Sequence, residues 1–146
     1  MPRAGPAELP ASRDARRPAG MKREAMTLRC LIIDDSPSFL RAARGLLERQ
    51  GIAVVGTAST GAEAVALATE LRPDVTLLDI DLGAESGFEI AGRLHQQCRR
   101  PPLPVILIST HAEEDYADLI ASSSVVGFLP KVDLSADAIR DLLRAP

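Results

Sequence analysis

Leu31-Ile32-Ile33-Asp34-Asp35 and Val75-Thr76-Leu77-Leu78-Asp79 are the stretches whose reading decides the fold of this chain. Each is a short apolar run that stops abruptly at acid. Two more runs share the form: Val105-Ile106-Leu107-Ile108 closes on Ser109, and Gly127-Phe128-Leu129-Pro130 closes on Lys131. Short runs rich in Val, Ile and Leu mark strands buried on both faces of a parallel sheet. In such sheets ligands bind beyond the carboxyl ends of the strands, where the strand order reverses. Carboxylates, a hydroxyl and an ammonium are therefore expected to meet along one edge.

Helical patterns alternate with these runs. The first strand is expected over 28–34 and the first helix over 37–50, with Ser36 as N-cap, Pro37 at the first helical position and Gly51 beyond the end. Phe39, Ala43, Leu46 and Leu47 give that helix its apolar stripe. A second strand follows at 52–57, and a helix at 61–71 capped by Thr60. Pro73 separates that helix from a strand at 74–79. Beyond a Gly-containing loop come a helix at 87–98, a turn marked by Pro101, Pro102 and Pro104, and a strand at 104–109. A helix at 112–122, a strand at 125–129 and a helix at 135–144 starting near Ser135 complete the pattern. Five β-α units with short, right-handed connections predict an α/β fold, a doubly wound five-stranded parallel sheet of order 2-1-3-4-5 between two helix layers.

Composition narrows the function. Residues 1–26 hold six basic and three acidic residues, net +3, and the remaining eleven and seventeen give −6. Pro2, Pro6, Pro10 and Pro18 interrupt the first segment, which lacks apolar periodicity and reads as a disordered Ala/Arg/Pro-rich extension; Met21 and Met26 are alternative starts. A domain as acidic as residues 27–146 has no footprint for nucleic acid. No run approaches the roughly 20 apolar residues of a membrane span, and Arg16-Arg17 is followed by no apolar stretch of the kind an export signal needs. Cys30 and Cys98 lie in no metal or redox spacing, which suits reduced thiols in a cytoplasmic protein.

Asp34, Asp35 and Asp79 at the ends of adjacent strands would repel one another unless a hard cation neutralised them. Mg²⁺ suits one or two carboxylates, waters and a substrate phosphate. From Thr27 onward Lys131 is the one Lys among eleven basic residues, and a compact ammonium on a flexible stem fits a single phosphoryl oxygen. Ser109 can donate to a second such oxygen. Asp79 is then the candidate nucleophile, since an ionised carboxylate accepts a phosphoryl group as an acyl phosphate.

As a set, LIIDDSPSFL, VTLLDIDLGAESGFE, VILIST and GFLPK, in this order, resemble the receiver domain of bacterial two-component response regulators over about residues 28–144. The resemblance implies a flavodoxin-like fold for residues 27–146. It makes Asp79 the phosphoacceptor, Asp35 the direct Mg²⁺ ligand, Asp34 an acid one step further from the metal, and the Asp81 backbone carbonyl a further ligand. Ser109 and Lys131 take the hydroxyl and lysine roles, and Phe128 that of an aromatic switch that turns inward on phosphorylation. The implied donor is a phosphohistidine on a histidine kinase or phosphotransfer protein. Output is expected through the surface of the fourth helix, fifth strand and fifth helix, where Glu113, Glu114, Asp115, Asp118, Arg140 and Arg144 lie. A DNA-binding output would take roughly 60 further residues, so a stand-alone receiver acting on a downstream protein is expected.

Gly87 matches a family glycine that suits a tight connection. Gly83 replaces a usual Pro and leaves its loop freer, Val132 replaces the Pro after the lysine, and Thr110 is bulkier than the family's small residue. Asp81 and His111 flank the phosphoryl site and are expected to tune dephosphorylation, His111 by positioning water and Asp81 by repulsion. Two alternatives differ in class. One is a receiver-like interaction module that is never phosphorylated. The other is a phosphatase of the haloacid-dehalogenase type, suggested by Asp79-Ile80-Asp81, although the acidic pair here precedes the nucleophile.

Overall fold

The computed structural model describes residues 27–99 and 101–144; the extension expected at 1–26 lies outside them. Five strands, β1 (Arg29–Ile33), β2 (Ala53–Ala58), β3 (Val75–Asp79), β4 (Val105–Ser109) and β5 (Gly127–Pro130), form one parallel sheet in the order 2-1-3-4-5. The expected topology is present. β1 and β3 pair directly, Ile33 beside Leu78, so their following acids share one edge. β3 pairs with β4 through Asp79 and Ile108, and β4 with β5 through Ser109 and Pro130.

Side-chain alternation divides the core between the two faces. Cys30, Ile32, Leu77, Ile106 and Ile108 pack with Ala43 and Leu47 of α1 (Pro37–Arg49) and with Ala136 and Ile139 of α5 (Ala136–Arg144). Leu31, Ile33, Leu78 and Leu107 face the other way, against Ala64 and Ala68 of α2 (Gly61–Leu71) and Ile90, Ala91 and Leu94 of α3 (Gly87–Gln97). With both faces covered, all of β3 and β4 is buried. At roughly 1.5–3 kcal/mol per fully buried large aliphatic side chain, this packing holds the strand ends in place.

The local signals work as read. Ser36 Oγ accepts from Phe39 N–H with Pro37 in the first turn, Thr60 Oγ1 accepts from Glu63 N–H, and Ser135 Oγ accepts from Ala138 N–H. Arg72, in place of the usual glycine, ends α2 in the left-handed conformation at φ 49°.

Two regions differ from expectation. The segment expected as a helix over 112–122 is a 3₁₀ turn, Glu113–Tyr116, followed by the short α4, Ala117–Ala121. Ala112 offers no side-chain cap, and Tyr116 leaves helical geometry at φ −126° while its ring packs inward near Phe88 and Phe128. The stretch after Asp79, expected as a plain Gly-containing loop, holds a small antiparallel hairpin in which Asp81 pairs with Ser86 and Leu82 with Glu85. Gly83 makes its two-residue turn possible with φ +61°.

Gly87, at the start of α3, shows why that position takes no side chain. A Cβ there would press on the Asp79 carbonyl oxygen and lie 2.7 Å from Ile80 Cα. Neither obstacle is a side chain that can swing aside. Gly87→Ala should lower unfolding stability by about 2–4 kcal/mol in urea titrations. Gly92→Ala, where nothing lies within 4 Å of the added carbon, should not destabilise.

Candidate functional site

The sheet brings most of the residues singled out by sequence to one edge. Asp34 follows β1 and is wholly buried, and Asp79 at the end of β3 is 6% exposed. Asp35 is exposed. One oxygen from each of these carboxylates lies within 4.8 Å of the others. Ser109 ends β4 and is buried, and Lys131 follows β5.

Lys131 reaches back into the acids. Its Nζ lies 2.6 Å from Asp34 Oδ2, oriented as an ion pair with no hydrogen bond, and 3.4 Å from Asp79 Oδ2, to which it donates. The other oxygen of each acid takes a backbone donor: Ser36 N–H donates to Asp34 Oδ1, and Asp81 N–H to Asp79 Oδ1. These bonds fix the carboxylate orientations. They also place Asp81, which meets Asp79 through its backbone while its side chain is exposed. That arrangement gives no support to an Asp-x-Asp acid pair.

Three carboxylates face one ammonium, and Asp79 registers the imbalance. Burial pushes its carboxyl up to about 6 from 3.8, and neighbouring Asp34 pushes the same way; Lys131 and the Asp81 N–H pull against them. The donor set, all oxygen and with a surplus of two negative charges, fits a hard divalent cation. Asp34, Asp35 and Asp79 are the side chains that could hold it.

The hydroxyl side is connected differently. His111 N–H donates to Ser109 Oγ at 3.0 Å, and His111 Nδ1 lies 3.5 Å from that oxygen and 3.3 Å from the Tyr116 hydroxyl. Tyr116 stacks obliquely on Phe128, centroids 6.3 Å apart. Phe128 is buried within the α2–α3 side of the core, so its ring occupies an inward position. Thr110 is exposed and points no bulk into the buried cluster.

Sequence reasoning missed two members of this edge. Glu85, in the hairpin, accepts from Gly61 N–H at 2.9 Å and so caps α2 from a distance; no local spacing announces such a bond. Phe39 belongs by spacing to the apolar stripe of α1, but its ring lies under the Lys131 ammonium, 4.3 Å from Nζ to centroid.

Comparison with known proteins agrees with this geometry. Residues 30–144 match the response regulator receiver domain family. The chain belongs to that family. The protein-glutamate methylesterase/protein-glutamine glutaminase of Alkalilimnicola ehrlichii is 38% identical over 119 residues, 77% of this chain and 29% of that protein. Protein PilH of Pseudomonas aeruginosa is 36% identical over 86 residues, 59% of this chain and 70% of its own length. Among solved structures, the signal receiver domain of NarL from Mycobacterium tuberculosis superposes with a TM-score of 0.71 at 29% identity, covering 82% of this chain and 98% of that one. The chain thus spans under a third of the methylesterase and most of PilH. Receivers of this family are regulatory modules, generally not turnover enzymes, and they interact with histidine kinases and downstream effectors. Among the described residues no helix is long and apolar enough to cross a membrane.

The raised Asp79 pKa carries a stability consequence. Between about pH 4 and 6 the folded receiver keeps a proton that the unfolded chain has released. Without divalent cation its stability therefore falls as pH rises through that window, and the loss is complete above it. Asp79→Asn, with no charge to bury, should be more stable than the parent by about 2 kcal/mol at pH 7.5, and the gap should close toward pH 4. Thermal melts at several pH values check this, and millimolar Mg²⁺ should raise the melting temperature of the parent more than that of the variant.

Proposed function

We propose that this receiver accepts a phosphoryl group on Asp79 from a phosphohistidine of a histidine kinase or phosphotransfer protein, with Mg²⁺ held by Asp35, Asp79 and the Asp81 backbone carbonyl and supported by Asp34. The observation that most supports this reading is the placement of a buried carboxylate, Asp79, at the meeting point of the acidic cluster and Lys131, with Ser109 on the next strand end. Bound Mg²⁺ would supply charge neutralisation on the phosphoryl oxygens.

The chain's own groups account for the rest. Asp79, ionised at neutral pH even with its raised pKa, supplies the nucleophilic oxygen. As its bond to phosphorus forms, the phosphorus–nitrogen bond of the donor breaks and the imidazole, protonated on its other nitrogen, leaves as a neutral ring. Charge then rests on the phosphoryl oxygens, where Lys131 and the Ser109 hydroxyl stabilise it. Hydrolysis reverses the modification: water attacks phosphorus, inorganic phosphate departs, and the Asp79 carboxylate returns. Asp81 and His111 flank that step and set its rate.

Capture of Ser109 by the phosphoryl group would draw its Oγ from the His111 N–H, and the chain of contacts through Tyr116 to Phe128 carries the change to the surface of α4, β5 and α5. That surface bears Glu113, Glu114, Asp115 and Asp118 with exposed Leu119, and suits a downstream protein partner. A cytoplasmic setting, where kinases generate phosphohistidine from ATP, belongs to the same reading.

Incubation with Mg²⁺ and phosphoramidate or acetyl phosphate should add one phosphate to the intact mass of the parent and none to Asp79→Asn. A folded parent that gains no mass from either donor would leave the unphosphorylated interaction module as the better reading. In the same assay His111→Ala and Asp81→Asn should each change the phosphoryl half-life, by about 3- to 10-fold if each alters water positioning or repulsion by a hydrogen bond's worth; unchanged decay in both removes them from the site.

A further inference from the structure

Lys131 is enclosed on three sides in the described structure. Asp34 Oδ2 lies 2.6 Å from its Nζ, Asp79 Oδ2 lies 3.4 Å away, and the Phe39 ring covers a third side with its centroid at 4.3 Å. The lysine side chain is only 14% exposed. Phe39 comes from the first turn of α1, two residues after Pro37, and its backbone N–H is the one that Ser36 caps. The cap that starts the helix thus also fixes the ring.

A lysine stem has several freely rotating bonds, and ordering it costs entropy. The two carboxylates attract the ammonium but do not by themselves keep water from its remaining face. An aromatic face does both: its quadrupole attracts the cation, and its carbon surface excludes water without competing for an N–H that an oxygen acceptor will need. The core does not require an aromatic here. Ala43 and Leu47 fill the buried stripe of α1, whereas Phe39 is only partly buried at its margin.

We infer that Phe39 is a positioning residue for phosphoryl transfer, holding the Lys131 ammonium desolvated and aimed at the Asp79 carboxylate. The inference rests on the receiver chemistry proposed above. When the Asp79 oxygen–phosphorus bond forms and the phosphorus–nitrogen bond of the donor breaks, negative charge collects on oxygens beside Asp79. An ammonium already there needs only a small displacement to meet it. Phe39 acts through Lys131 and touches no reacting atom.

The test uses the full chain, whose only lysines are Lys22 and Lys131. Labelling lysine with ¹³C therefore gives two ε-CH₂ signals. Ring current should shift that of Lys131 away from the exposed-lysine position in the parent and in Phe39→Tyr, and Phe39→Leu should remove the shift. With Mg²⁺ and phosphoramidate, Phe39→Leu should slow the gain of phosphate by about 3- to 30-fold, and Phe39→Tyr should restore it to near the parent rate. In a Lys131→Ala background Phe39→Leu should slow it no further, because the residue through which Phe39 acts is gone.

Equal loss in the Leu and Tyr variants would overturn the inference. So would a Phe39→Leu loss that persists without Lys131, which would reduce Phe39 to helix packing. A parent that takes up no phosphate while the Lys131 signal stays shifted would overturn the receiver chemistry itself and with it any catalytic use of the contact. A parent that is phosphorylated normally beside an unimpaired Phe39→Leu would sink the positioning role alone.

Discussion

The ion pair between Asp34 and Lys131, 2.6 Å across and closed off from water on the Asp34 side, is the interaction on which this edge of the sheet depends. A buried carboxylate at the end of a hydrophobic strand is costly without a partner, and deleting Lys131 leaves the Asp34 charge uncompensated, a loss of about 3–5 kcal/mol in comparable buried pairs. The pairing is also incomplete. Lys131 divides its charge between Asp34 and Asp79, so Asp79 is left under-neutralised and protonates unusually easily. Full compensation would tie the lysine up; none would leave the buried acids unpaired at a cost in stability. Partial compensation leaves a carboxylate that an added cation can still stabilise, as the proposed transfer of a phosphoryl group to Asp79 requires.

Position along the strands turns this balance into a site. β1 and β3 are neighbours because the sheet order reverses there, and their register puts Ile33 beside Leu78, so the acids that follow cannot avoid one another. β4 adds Ser109 and β5 adds Lys131 at successive spacings. The Gly83 hairpin and the bare Cα of Gly87 then bring the chain tightly past the Asp79 carbonyl. The same compression that fixes the Asp79 backbone leaves its carboxylate able to accept from the Asp81 N–H.

Sequence alone made the layered fold and most of this edge legible because both are written in local code: apolar runs for buried strands, Ser36 with Pro37 and Thr60 for helix starts, and a chemical residue at each strand end. What it could not convey were contacts between distant segments. The helix expected over 112–122 loses its first turns because Tyr116 is drawn toward Phe88 and His111, a tertiary preference that no propensity records. The Asp81–Ser86 hairpin has a partial signal in Gly83, a residue able to turn, but one glycine does not name the strands on either side of it. Glu85 capping α2, and Arg72 adopting a left-handed cap where glycine is the usual choice, left no local trace at all.

The distribution of aromatic residues carries the argument one step further. The chain has three Phe, one Tyr and no Trp, and none of the four lies among its largest fully buried side chains, which are all Leu and Ile. Aliphatic packing therefore suffices for the body of the core. Phe39 sits against Lys131, while Tyr116 contacts Phe88, His111 and Phe128 in a group that begins at the Ser109 hydroxyl. Rings thus back the two side chains, ammonium and hydroxyl, to which the proposed phosphoryl transfer assigns the new charge at Asp79. A flat ring suits that duty better than a branched aliphatic chain, since it can hold a cation or slide against another ring with little loss of contact. In this receiver aliphatic side chains fix the frame, and aromatic ones stand where the frame has to yield.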